Sequence, residues 1–166
     1  MPHAMQVRMP RLAVILAALL PIAACNRAPE PVAAVSPGAN APMNAASAEL
    51  DGITLQARLI DTATLAAVMA KQYGISQAEG QWLLLLTLRD AQGNGVPAGA
   101  VQIDARVGDL TQAPRPITLR SIQVDGLNDL IGLVEATPPT TLRVEIDARR
   151  GGASSQMRFS RDLPRP

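Results

Sequence analysis

Few residues in this chain can do chemistry, and two of them occur once. Cys25 is the only cysteine and His3 the only histidine in 166 residues. Thiolate nucleophiles, Cys/His zinc sites and histidine-based triads thus have almost nothing to draw on. In "DAQGNG", Asp90, Asn94 and Gly95 fall at the offsets of a calcium loop. Such a loop needs a bidentate acid at its twelfth position, where Val101 stands, and Gln92 is a poorer ligand than a carboxylate. A hairpin turn is the better reading. "GNGVPAG" leads into strand-like alternation, so it cannot seat a phosphate at a helix N-terminus. "DGLND", Asp125 to Asp129, gathers two acids and an amide and reads as a solvated loop between strands. Arg149-Arg150 reads as a charged hairpin tip, and Trp82 and Tyr73 as core. Fourteen acids always contain pairs, so no glycosidase-type carboxylate pair is indicated. With Phe159, the aromatics number three, which leaves little for stacking a sugar.

The segment around Cys25 is the most informative. Met1 to Arg11 carries Arg8 and Arg11 and no acid; "LAVILAALL" then gives a short apolar run from Leu12 to Leu20, and "PIAA" precedes the cysteine. A basic start, an apolar run of this length and small residues at its end make a secretory signal. The run falls short of the ~20 apolar residues a membrane-spanning helix needs.

Ile22-Ala23-Ala24-Cys25 resembles the lipobox of bacterial lipoproteins: an aliphatic residue, two small residues, then cysteine. The resemblance implies that Cys25 is lipidated and becomes the first residue after residues 1–24 are removed. A thiol is a nucleophilic handle for a lipid, and small residues let a peptidase reach the backbone. Two or three acyl chains anchor stably where one is marginal. Asn26 follows the cysteine; by the sorting pattern of enteric lipoproteins this favours the outer membrane over the inner, facing the periplasm. Cleavage also removes His3, Arg8 and Arg11, leaving 13 basic and 14 acidic residues. No field of that size recruits nucleic acid.

Residues 25–50 read as the lipidated cysteine and a tether. From Asn26 to Glu49 proline, alanine, serine and glycine dominate with no period, which predicts a flexible linker of about 25–30 Å reach. Residues 51–163 form the expected folded domain, and 164–166 a tail. "ITLQARL" alternates, with Ile53, Leu55, Ala57 and Leu59 on one face. "DTATLAAVMAKQYG" shifts to helical spacing, with Leu65, Val68, Met69 and Tyr73 on one side, Thr62 or Thr64 as cap and Gly74 as terminator. "QWLLLLTLRD" is apolar on both faces for part of its length, as a central strand would be. Val101, Ile103, Ala105 and Val107 alternate again. In "ITLRSIQVDG" the phase shifts at Arg120-Ser121, which predicts a bulge. "DLIGLVEA" is a short strand. "TLRVEIDARRGGASSQMRFSRD" is a hairpin with its turn near Gly151-Gly152. About seven strands and one short helix after the first strand, with no βαβ rhythm, predict a mainly β fold. The expected architecture is an immunoglobulin-like antiparallel two-sheet sandwich, with a small barrel as the alternative.

"TATLAAVMAKQYGI", the two-sided strand after it and the closing "LRVEIDA…MRFSRDL" hairpin resemble an uncharacterised family of proteobacterial periplasmic proteins, domain of unknown function 4426. The resemblance runs from about Ile53 to Leu163. The chain departs from it in lacking aromatics in "LQARLI" and "DLIGLVEA" and basic residues in "SQAEG". The family implies a fold and a compartment and supplies no catalytic residue.

The expected role is that of a non-enzymatic, lipid-anchored binding module with an envelope protein as partner and the membrane reached through Cys25. No cofactor, metal, nucleic acid or small-molecule ligand is expected. The alternatives are a carrier of a small apolar ligand between the sheets and, less favoured, a hydrolase without histidine.

Overall fold

The computed structural model describes residues 45–165. In chain order the elements are β1 (Ala45–Leu50), β2 (Ile53–Asp61), α1 (Ala67–Tyr73), β3 (Gln81–Asp90), β4 (Gln102–Gly108), β5 (Arg115–Pro116), β6 (Arg120–Val124), β7 (Leu127–Glu135), β8 (Thr140–Arg150) and β9 (Ala153–Leu163). They form two antiparallel sheets, ordered β1-β2-β3-β7-β6 and β5-β4-β8-β9. This is the expected two-sheet sandwich with one short helix, and the sheets do not close into a barrel. Nine strands stand where about seven were expected, because β1 and β5 are additional.

Alternation explains the layers. Every second residue of β2 points inward, and Ile53, Leu55, Ala57 and Leu59 are all buried. Trp82, Leu84, Leu86 and Leu88 of β3 join them, facing Val144, Ile146 and Ala148 of β8 and Met157 of β9 across the interior. Opposite faces of one pleated strand can serve two cores. Leu83 of β3 turns outward and packs with Tyr73, Ile122 and Ile131 in a second, smaller cluster. The two-sided apolar strand is therefore central, with α1 covering part of its outer face.

Three expectations are corrected. Ala45–Leu50, read as the end of the tether, is a strand: Ala46 and Leu50 are buried in the main core. It joins β2 through Asp51-Gly52, both at positive φ (48° and 75°), a two-residue turn of the primed kind that suits hairpins. At Arg120-Ser121 there is no bulge. β5 belongs to the four-stranded sheet and β6 to the five-stranded one, so the shift in phase marks the chain crossing between sheets. Ile117 and Leu119 pack on the main core during the crossing, whereas Ile122 enters the outer cluster. Finally, α1 starts only at Ala67, with neither threonine as its cap. Ala70 and Tyr73 are its buried residues and Val68 is 65% exposed. Gly74 ends the helix in the left-handed region (φ 60°) as expected.

Candidate functional site

Cys25 and the lipobox residues Ile22, Ala23 and Ala24 lie outside the described residues. Within them, the outer face of the five-stranded sheet is the best candidate surface. Strand register sets its rows. Thr54 of β2 lies opposite Arg89 of β3, Gln56 opposite Thr87, and Arg58 opposite Leu85. Thr87 and Ile122 both lie opposite Asp129 of β7. At one end of this face α1 and its flanking loops cover Leu83 and Ile131. At the other end the face stays open. Thr54, Gln56, Arg58, Leu85, Thr87, Arg89 and the Asp90–Gly93 turn line a depression of about 530 Å³.

Asp129 anchors the boundary between the two ends. It is 7% exposed, and its Oδ1 accepts a bond from Arg89 Nη2 at 2.8 Å. Arg89 also donates to the Leu88 carbonyl at 2.9 Å. A buried carboxylate without such a partner would cost several kcal/mol. Tyr73 lies near enough to feel the same charge. Burial first, and then the Asp129 carboxylate, raise its phenol above the ordinary 10.0. Arg120 of β6 donates to the Tyr73 and Gly74 carbonyls, which ties the helix C-terminus to the sheet. Arg58, in contrast, makes no ion pair with any described residue; it is exposed on the open end.

The turn at the rim behaves as expected. Asp90 Oδ1 accepts from the Gln92 and Asn94 amides, both at 2.9 Å, and Oδ2 from Asn94 Nδ2 at 3.0 Å. Both carboxylate oxygens thus face into the turn. The hydrogen bond from the Asn94 side chain is the main reason that Asp90 titrates below its ordinary range. Among the described residues no group of three or more His, Cys, Asp or Glu comes together.

"DGLND" is a solvated inter-strand turn only in its first two residues. Asp125 and Gly126 are a two-residue hairpin turn (φ 51° and 79°), and Leu127 to Asp129 already belong to β7. Arg149 and Arg150 bind neighbouring acids: Arg149 Nη1 lies 3.3 Å from Asp104 Oδ2, and Arg150 Nη1 lies 3.5 Å from Asp51 Oδ2. Tyr73 and Trp82 are buried, as expected. Arg161 stacks over the Trp82 ring at 4.7 Å, a cation–π contact. The Arg89–Asp129 pair was missed, since its partners are forty residues apart. The available signals were an arginine ending an apolar strand and an acid opening "DLIGLV".

The fold and face define a class of protein: a small two-sheet sandwich with a half-covered, mixed-polarity outer face. Residues 47–164 match the family described as domain of unknown function (DUF4426), and the chain belongs to that family. The crystal structure of a DUF4426 family protein (PA0388) from Pseudomonas aeruginosa PAO1 is similar in fold, at TM-score 0.59 and 12% identity, over 74% of this chain and 97% of that one. FetP of uropathogenic E. coli strain F11 aligns at TM-score 0.49 and 10% identity, over 73% and 94%. A search of curated proteins finds no relative.

Proposed function

We propose that this protein is a lipid-anchored, non-enzymatic recognition module of the cell envelope. It is held by acylated Cys25, more readily at the outer membrane than the inner, and presents its sheet face to a protein partner in the periplasm. One observation carries the reading. Gln56 and Arg58 stand exposed on β2, while the acids nearby, Glu49, Asp90 and Asp129, each accept a hydrogen bond within the domain. The sheet fixes the backbone that carries these side chains, so a partner has to order their rotamers but not the chain beneath them. General acid–base work needs an available proton carrier within reach of a reacting group. An apolar carrier has less support, because Leu55, Leu59, Leu84, Leu86 and Ile146 fill the space between the sheets at under 2% exposure.

The test is in-cell photo-crosslinking from position 56, with mass spectrometry of what is captured. A defined envelope protein, lost on Arg58→Glu, is the expected result; no capture above that of an unrelated lipoprotein would overturn the reading. The anchor is tested separately. Cys25→Ser should release the protein from the membrane fraction and remove the lipid mass.

A further inference from the structure

A sandwich of two open sheets has four edge strands, and an unpaired edge is a template for another strand. Here three of the four are blunted. β5 has two residues, one of them Pro116, which has no N–H. β1 and β9 pack beside one another at the same side of the sandwich. β6 is the exception. It has five residues, "RSIQV", with neither lysine nor proline, and among the described strands it pairs with β7 alone. Its one charge, Arg120, bonds to the carbonyls that end α1.

The hairpin turn fixes which backbone groups of β6 point outward. Val124 and Leu127 flank the two-residue turn and face each other, so they exchange both backbone hydrogen bonds. Alternation then turns the groups of Ile122 and Arg120 toward β7 as well. Those of Ser121 and Gln123 point away from it, at the open edge. Both residues are exposed.

From this pattern we infer that β6 is a self-pairing interface: two copies of this chain join antiparallel through it, centred on Ile122. The inference goes beyond the recognition-module reading and stands on the edge geometry of β6 alone. In that register Ser121 of each copy lies opposite Gln123 of the other, and these are the residues with free N–H and C=O groups. Arg120 meets Val124, so no like charges face each other. Ile122 meets its own counterpart at the close, non-hydrogen-bonded spacing that favours apolar pairs. An unrelated peptide would need this complementarity built into it; a second copy has it by symmetry. The two-fold axis would run perpendicular to the sheet. Both recognition faces would then lie on the same side of one ten-stranded sheet.

The test uses the full chain, extracted in detergent and sized by light scattering. A dimer at tens of micromolar is expected. Ser121→Lys/Gln123→Lys should weaken self-association at least about tenfold by placing like charges opposite each other, with an unchanged far-UV spectrum. Gln123→Pro, which removes an outward N–H only, should do the same. A photo-crosslinker at position 123 should capture the 117–127 segment of a second copy. A monomeric wild-type chain overturns the inference, and so does a dimer that survives both variants. Capture of another protein alone from position 123 also overturns self-pairing, yet leaves the recognition reading standing. Failed capture from position 56 in an intact dimer overturns recognition alone.

Discussion

The Arg89 guanidinium and the Asp129 carboxylate meet at 2.8 Å across β3 and β7, with the aspartate side chain only 9% exposed. The pair divides the outer face of its sheet, apolar and covered on one side, polar and open on the other. Arg89→Ala would leave a buried charge uncompensated. It should destabilise the domain by about 2–3 kcal/mol, less than for a fully buried pair because Arg89 keeps some solvent. Urea unfolding measures this. Replacing both residues by apolar ones should recover most of the loss.

Tyr73 is the only tyrosine, so absorbance near 295 nm reports it alone. Its raised phenol pKa means the folded chain keeps the proton after the unfolded chain has begun to lose it. This contribution to stability is fully present below pH ~10 and is lost as pH rises through the folded value. Tyr73→Phe should flatten that alkaline loss. Asp129→Asn should bring the phenol partway back toward its ordinary value, since burial is the larger cause.

Asp90 and Asp109 act at the acid end. Each accepts side-chain and backbone hydrogen bonds, chiefly from Asn94 and from Thr111 respectively, and titrates below its ordinary 3.8. The lowered values give stability present above pH ~4 and lost as pH falls through the folded values. In a carboxyl-resolved NMR titration, Asn94→Ala should move Asp90 upward and leave Asp109 unchanged.

Gly132 of β7 marks where the chain crosses between sheets. A Cβ there would meet Ile117 Cδ1 at 3.0 Å, Leu119 Cδ2 at 3.1 Å and the Thr118 carbonyl at 3.2 Å. Gly132→Ala should cost about 1–3 kcal/mol by overpacking. Adding Ile117→Val should return part of it, read as a partial recovery of Tm.

What was legible in the sequence follows from physical scale. Period-two alternation in "ITLQARL" and in the β8–β9 hairpin is strong because large aliphatics alternate with polar residues, and the structure agrees residue by residue. β1 was missed because its inward residues include two alanines, Ala46 and Ala48, beside Leu50. Asp51-Gly52, ahead of an alternating run, was the turn signal that could have revealed it. The helix face was misjudged because periodicity does not say where a helix begins. Counting from Leu65 put Val68 inside, whereas a start at Ala67 puts Ala70 there. At the candidate site, the rows of Thr54, Gln56 and Arg58 were readable as the polar side of β2. Their neighbours on β3 and β7 depend on register between distant segments, which a single sequence does not encode locally.

The place of β1 also has a mechanical meaning. It is the first described element after residue 44, and its hydrogen-bonded neighbour is β2 alone, through six residue pairs from Ala45–Arg58 to Leu50–Ile53. Tension reaching the domain along the chain from its N-terminal side would load that ladder before any other part of the sandwich. β1 is thus the first strand such a load would test, and Ala46 and Leu50 are the core contacts that would have to give way with it.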